Sequence, residues 1–78
     1  MLWGDSMFLS AAEKIRILLK RRNMSIKQLA DALGVTGQNI SNKMSRNNFS
    51  EKELIEIAAA LNCTYETRFT TIDTNVEI

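Results

Sequence analysis

The sequence predicts a mostly α fold: a small bundle of four to five helices with a helix-turn-helix, followed by a short C-terminal β-strand or hairpin. Three observations predict it. At three points a serine stands three places before Glu or Gln, namely Ser10/Glu13, Ser25/Gln28 and Ser50/Glu53. At that spacing side chain and backbone amide cap each other at a helix start. Behind each serine, apolar residues recur at helical intervals. After Tyr65 the period drops to two, the signature of extended chain.

Seventy-eight residues make one domain. A chain this short buries only about 60% of its unfolded surface, so its core is small. We divide it into an N-terminal extension, residues 1–9, expected to be partly disordered; a helical body, residues 10–64; and a C-terminal strand or hairpin, residues 65–78.

Ser10 opens the first helix, with Ala11, Ile15, Leu18 and Leu19 as its apolar stripe and Ile17 off it. Lys20, Arg21 and Arg22 close it, and Asn23 terminates it. Those three cations suit the carbonyl end of a helix, and equally a phosphate. The last helix starts at Ser50 behind Phe49, a hydrophobic staple, and runs to Leu61 with Leu54, Ile55, Ile57, Ala58 and Leu61 inward. Asn62 ends it in a left-handed conformation. Glu51, Glu53 and Glu56 form its acidic outer rim. Met24, Met44 and Phe49 read as core fillers.

Between these helices lies SIKQLADALGVTGQNISNKM, residues 25–44. Leu29, Ala30 and Leu33 give a short helix after Ser25, and Gly34 supplies the left-handed residue that ends it. Val35 is expected to plug the turn. Thr36 caps a second helix whose inward residues are Ile40 and Met44. Helices this close must cross steeply, and Ala30 is the small residue where they meet. The outer face of the second helix is polar throughout: Gln38, Asn39, Ser41, Asn42 and Lys43. Amides and hydroxyls on an exposed helix can hydrogen-bond base edges in a major groove. This is the arrangement of a DNA-binding helix-turn-helix.

LADALGVTGQNIS resembles the helix-turn-helix of the lambda-repressor-like, XRE family of phage and bacterial regulators, at Leu29, Ala30, Leu33, Gly34, Val35, Thr36 and Ile40. FSEKELIEIAAALN resembles that family's fourth helix, so the likeness spans residues 11–62. The first position of the motif's first helix, commonly a glutamine on the DNA backbone in that family, is Ile26 here. The resemblance implies a lambda-repressor-like bundle and sequence-specific binding of double-stranded DNA by a small transcriptional regulator, a repressor of phage or mobile-element type. It also implies that the loop after the recognition helix, SRNN at 45–48, lies along the DNA backbone, where Ser45, Arg46, Asn47 and Asn48 offer side chains and amides. Asn-rich loops also form turns for their own sake. Small domains of this type also serve as antitoxins or accessory subunits; in that rival reading the acidic fourth helix and the C-terminal strand bind another protein.

In the DNA-binding reading the base contacts fall to Gln38, which can pair bidentately with adenine, then to Asn39, Asn42 and Ser41. Phosphate contacts fall to Thr36, Gly37, Lys27, Lys43, Ser45, Arg46 and Asn47, with Gly37 letting the backbone come close. The net charge of +1 hides an asymmetry. Residues 1–50 carry eight Lys/Arg and three acids, a net +5, and residues 51–78 carry a net −4. The basic half holds the recognition helix; the same charges also suit plain solvated helix faces.

In the tail, Tyr65, Thr67, Phe69 and Thr71 alternate with Glu66, Arg68, Thr70 and Ile72. Asp73-Thr74-Asn75 is a turn candidate, and Val76-Glu77-Ile78 a short return strand. A lone hairpin is marginal in water, and its edge needs a partner. We expect a homodimer through residues 65–78 that sets two recognition helices on two operator half-sites; a hairpin folded back on its own helices is the alternative.

Catalysis is not expected. The chain has no histidine, and Cys63 stands without a neighbouring base. No phosphate-cradling glycine loop and no metal-ligand spacing occurs, so neither cofactor nor metal is expected. No run of 18 apolar residues predicts a membrane span. The N-terminus lacks the pattern of a secretory signal, and one cysteine cannot close an internal disulfide. These features point to the cytoplasm.

Overall fold

A computed structural model describes residues 9–78, and within them the chain forms four helices. They are α1 (Ala11–Arg21), α2 (Ile26–Leu33), α3 (Gly37–Arg46) and α4 (Glu51–Ala60). The N-terminal extension, with Leu2, Trp3, Met7 and Phe8, lies outside the described residues.

Every helix starts on a hydroxyl. Ser10, Ser25, Thr36 and Ser50 sit in extended backbone and accept a hydrogen bond from the amide three residues on. In α1, α2 and α4 the bond is returned, by Glu13, Gln28 and Glu53 to the amides of their serines at 2.9, 2.8 and 2.8 Å. Two of the four orphan amides at each of these helix starts are thereby satisfied.

The helices also end alike. Asn23, Gly34, Asn47 and Asn62 all have φ between 50° and 72°, the left-handed region. Behind each, the next amide reaches back to a carbonyl five residues earlier: Met24 to Leu19, Val35 to Ala30, Asn48 to Lys43, and Cys63 to Ala58. This bond pairs carbonyls the helix leaves orphaned, and only Gly or Asn enters that backbone region cheaply.

The core is small. Ala12, Ile15 and Leu19 of α1 meet Leu29 and Ala30 of α2, Ile40 and Met44 of α3, and Ile57 and Leu61 from α4 and its end. Leu29 and Leu61 are its largest fully buried side chains. α2 packs against both α3 and α4, and α3 also rests on α1. Ala30 is 1% exposed, as expected where α2 and α3 cross. Phe49 and Leu54, at the two staple positions, both pack against the core.

Several expectations need correction. Ala12, not Ala11, is the buried alanine of α1; with Ile15 and Leu19 it completes the i, i+3, i+7 stripe. Ile55 is 52% exposed, because it follows Leu54 by one residue and is turned about 100° off the inward stripe. Val35 does not plug the turn: the Gly34 bend returns its amide to Ala30 but leaves its side chain 39% exposed, at the rim of a hollow beside Leu33 and Phe49. SRNN is not a loop throughout. Ser45 and Arg46 form the last turn of α3, and the chain leaves the helix only at Asn47.

The expected C-terminal strand is absent among the described residues. One antiparallel bridge, Thr70 to Glu77, stands alone. The turn falls at residues 72–74, with Asn75 left-handed. Phe69, Ile72, Val76 and Ile78 are all more than half exposed. A two-period pattern needs a surface to lie on, and none of these side chains joins the core cluster. Among the described residues no helix is long and apolar enough to cross a membrane.

Long-range hydrogen bonds tie helix ends together at two places. Asn47 Oδ1 accepts from the Ala12 amide at 3.0 Å, so the end of α3 caps the start of α1. Arg22 Nε donates to the Leu61 carbonyl at 2.9 Å, so the end of α1 caps the end of α4. We predict that Asn47→Ala lowers stability in urea by about 2 kcal/mol, combining left-handed strain with a lost hydrogen bond, and Asn47→Gly by only about 1. Equal losses in the two variants would show that backbone strain plays no part.

Candidate nucleic-acid interface

The site is built from the second helix of the pair. α3 buries only Ile40 and Met44. Gln38, Ser41, Asn42, Ser45 and Arg46 are exposed on it, as is Asn39. At 3.6 residues per turn, Gln38, Asn42 and Ser45 stack along the face opposite the buried pair. Asn39, Asn42, Lys43, Arg46 and Asn48 line one shallow polar groove beside that face. Between Thr36 and Asn48 the chain carries no acidic residue.

The residues expected at the DNA backbone are differently placed. Thr36 Oγ1 accepts from the Asn39 amide at 3.1 Å, so its oxygen serves as the helix cap and its hydroxyl proton is left for a ligand. Gly37 has no atom within 4 Å of where a Cβ would stand, so the protein's own packing does not demand glycine there. Lys27 pairs with Asp31 at 3.4 Å, one turn along α2, in an exposed ion pair. Such pairs are weak and easily exchanged. Arg46 has no ion-pair partner among the described residues. Asn47 has its side-chain oxygen committed to Ala12.

Lys43 is engaged inside the protein. Its ammonium group bonds Glu53 Oε2, while the other carboxylate oxygen of Glu53 holds the Ser50 amide. The pair is half-buried. Asn39 and Lys43 also border a hollow that Glu53 and Glu56 line from α4. One edge of the polar face therefore abuts acids, while the Gln38–Asn42–Ser45 line and Arg46 lie away from that hollow.

Sequence reasoning missed the Lys43–Glu53 pair and the cap that Asn47 makes on α1; Asn48, expected at the DNA backbone, lines the groove. The left-handed helix end at Asn47 was readable, but its bond to the Ala12 amide was not. Asn47 follows an arginine at a helix end just as Asn23 does, and both adopt the same backbone. The ion pair spans ten residues and two helices, and no spacing rule reports it. Arg22, read equally as a helix-end charge or a phosphate ligand, is a helix-end residue: its guanidinium also reaches the Asn62 carbonyl and the Cys63 sulfur.

Two carboxylates are held below their ordinary value of 4.5. For Glu13 the cause is the bond from the Ser10 amide, and for Glu53 it is the Lys43 ammonium first and the Ser50 amide second. A lowered folded-state value stabilises the fold above the unfolded-state value, and that stability is lost as the pH falls through the folded one. Stability should therefore hold at neutral pH and decline below about pH 4.5. Glu53→Gln keeps the cap, as Gln28 does in α2, and should flatten that acid limb. An unchanged limb in acid-unfolding curves would show that the pair is not coupled to folding.

No curated protein and no solved structure matches this chain. Residues 10–65 match the model of a family described as a domain of unknown function, DUF6471. The match takes in all four helices and stops at Tyr65, leaving the rest of the tail outside. It covers more than half of the 78 residues, and the chain belongs to that family.

Proposed function

We propose that this protein binds double-stranded DNA sequence-specifically, as a small transcriptional regulator of the lambda-repressor-like, XRE kind, with α3 in the major groove. The observation that carries the reading is the outer face of α3: bare, acid-free, and built of amides, hydroxyls and one arginine. A helix that buries only two residues and exposes Gln38, Ser41, Asn42 and Ser45 offers donors and acceptors suited to base edges. The left-handed Gly34 and the buried Ala30 support it, since they set α2 and α3 in a tight pair. Gln38 and Asn42 read bases, with Ser41 and Asn39 at the margins. Arg46, the Thr36 hydroxyl, Ser45 and the amides near Gly37 meet phosphates. Lys27 and Lys43 join them by exchanging a carboxylate for a phosphate. Two copies, joined through residues 65–78, set two such helices about 34 Å apart on a two-part operator.

A gel-shift series with random DNA across a range of salt tests this. Each neutralised phosphate contributes about −0.9 to the slope of log affinity against log salt, so several contacts give a steep fall. A flat response would overturn DNA binding and leave the protein-interaction reading. Selection from a random pool then gives the preferred site.

A further inference from the structure

We infer that the C-terminal arm of one copy, residues 66–78, seats in the groove between α1 and α4 of a second copy, and reciprocally. This names the surfaces behind the dimer proposed above; it rests on that dimer and not on DNA binding.

The groove has a volume of about 230 Å³. Ile15 and Leu18 of α1 and Leu54, Ile57 and Ala58 of α4 line it, with Lys14 also on its wall. None of its lining residues belongs to α3, so filling it leaves the polar face of α3 uncovered. The chain leaves the helical body at this groove's mouth, where Cys63, Thr64, Tyr65 and Glu66 close one side.

The arm beyond that point is preorganised and apolar. Thr71 donates its amide to Val76 at 2.9 Å, Ile78 to Phe69 at 2.8 Å, and Arg68 pairs with Glu77 at 3.0 Å. These bonds fix a small turn that presents Ile72 at 100%, Ile78 at 83% and Phe69 at 71% exposure. Covering large apolar side chains that a self-bonded turn holds out in water is favourable, and such a patch marks a surface for contact. From Tyr65 to the tip of the turn is seven residues, a reach of roughly 23 Å when extended, enough to cross a two-fold axis at the groove mouth.

Charge selects the surface it meets. Residues 66–78 carry Glu66, Asp73 and Glu77 against Arg68, a net −2. Of the exposed cations of α1, Lys14 stands on the groove wall, while Arg16 and Lys20 lie on the opposite side of the helix. An apolar arm with Asp73 in its turn fits an apolar groove that carries Lys14 on its wall. Reciprocal seating fills both grooves and closes the assembly at two, with no edge left for further growth.

The full chain is the material for the test. Sedimentation equilibrium should give twice the 8.8 kDa chain mass. Phe69→Ser with Ile72→Ser, both outside the core, should return the mass to that of one chain with unchanged helical circular dichroism. Cys63 lines the groove, so Ile72→Cys places a second thiol on the arm. Mild oxidation should then give a covalent dimer that disappears when Cys63→Ser is added. A covalent dimer that survives Cys63→Ser means arm meets arm, and a disulfide within one chain means the arm folds onto its own groove; either overturns the proposal. A dimeric mass unaffected by the two arm substitutions overturns the seat but leaves a two-part operator possible. A single-chain mass for the unaltered protein overturns both.

Discussion

Leu29→Ala is expected to lower stability by about 3–5 kcal/mol. Leu29 is 0% exposed, and it stands on the one helix that packs against both α3 and α4. Truncation forfeits transfer free energy and leaves a cavity that three helix faces cannot easily close. A domain of this size holds only about 4–12 kcal/mol in total. The variant should therefore melt more than about 10 °C below the parent or be partly unfolded at room temperature. Ile17→Ala is the control: Ile17 is 38% exposed on α1, and its loss should stay within about 0.5 kcal/mol. If calorimetry found the two variants alike, Leu29 would not be a buried anchor of the core.

What could be read from the chain follows from the range of each interaction. Helix starts were legible because capping is local: Ser25 and Gln28 find each other three residues apart whatever lies beyond. The inward stripes were legible wherever the period was clean, as at Leu29, Ala30, Ile40 and Met44. Errors fell where a position's fate depends on a distant neighbour. Ile55 is apolar and helical, yet none of the described helices covers it. Asn47 looks like any loop asparagine until α1 brings the Ala12 amide to it. The tail kept its two-residue period but lacked a sheet to join, so its alternation produced one bridge and no strand. In the candidate site, composition gave the polar face of α3, while the retention of Lys43 by Glu53 depended on the angle between α3 and α4.

Gln38→Ala is expected to weaken binding to the preferred DNA site by about 1–3 kcal/mol and to flatten discrimination at one base pair. Gln38 is exposed in the first turn of α3, the end that enters the groove first in a helix-turn-helix. Its amide can give and take one hydrogen bond each with adenine, and alanine can do neither. On non-specific DNA the same variant should bind almost as well as the parent, because the proposed phosphate contacts are untouched. Arg46→Ala should behave in the opposite way. It removes a cation with no ion-pair partner among the described residues, so affinity should fall on every sequence and the salt slope should become shallower by about 1. Both positions are solvent-exposed, so urea midpoints should stay put and the two effects be read as binding alone. Equal weakening by Gln38→Ala on all sequences would remove it as a base reader. A loss from Arg46→Ala confined to one sequence would move Arg46 from the phosphates to the bases, and with it the register of α3 in the groove.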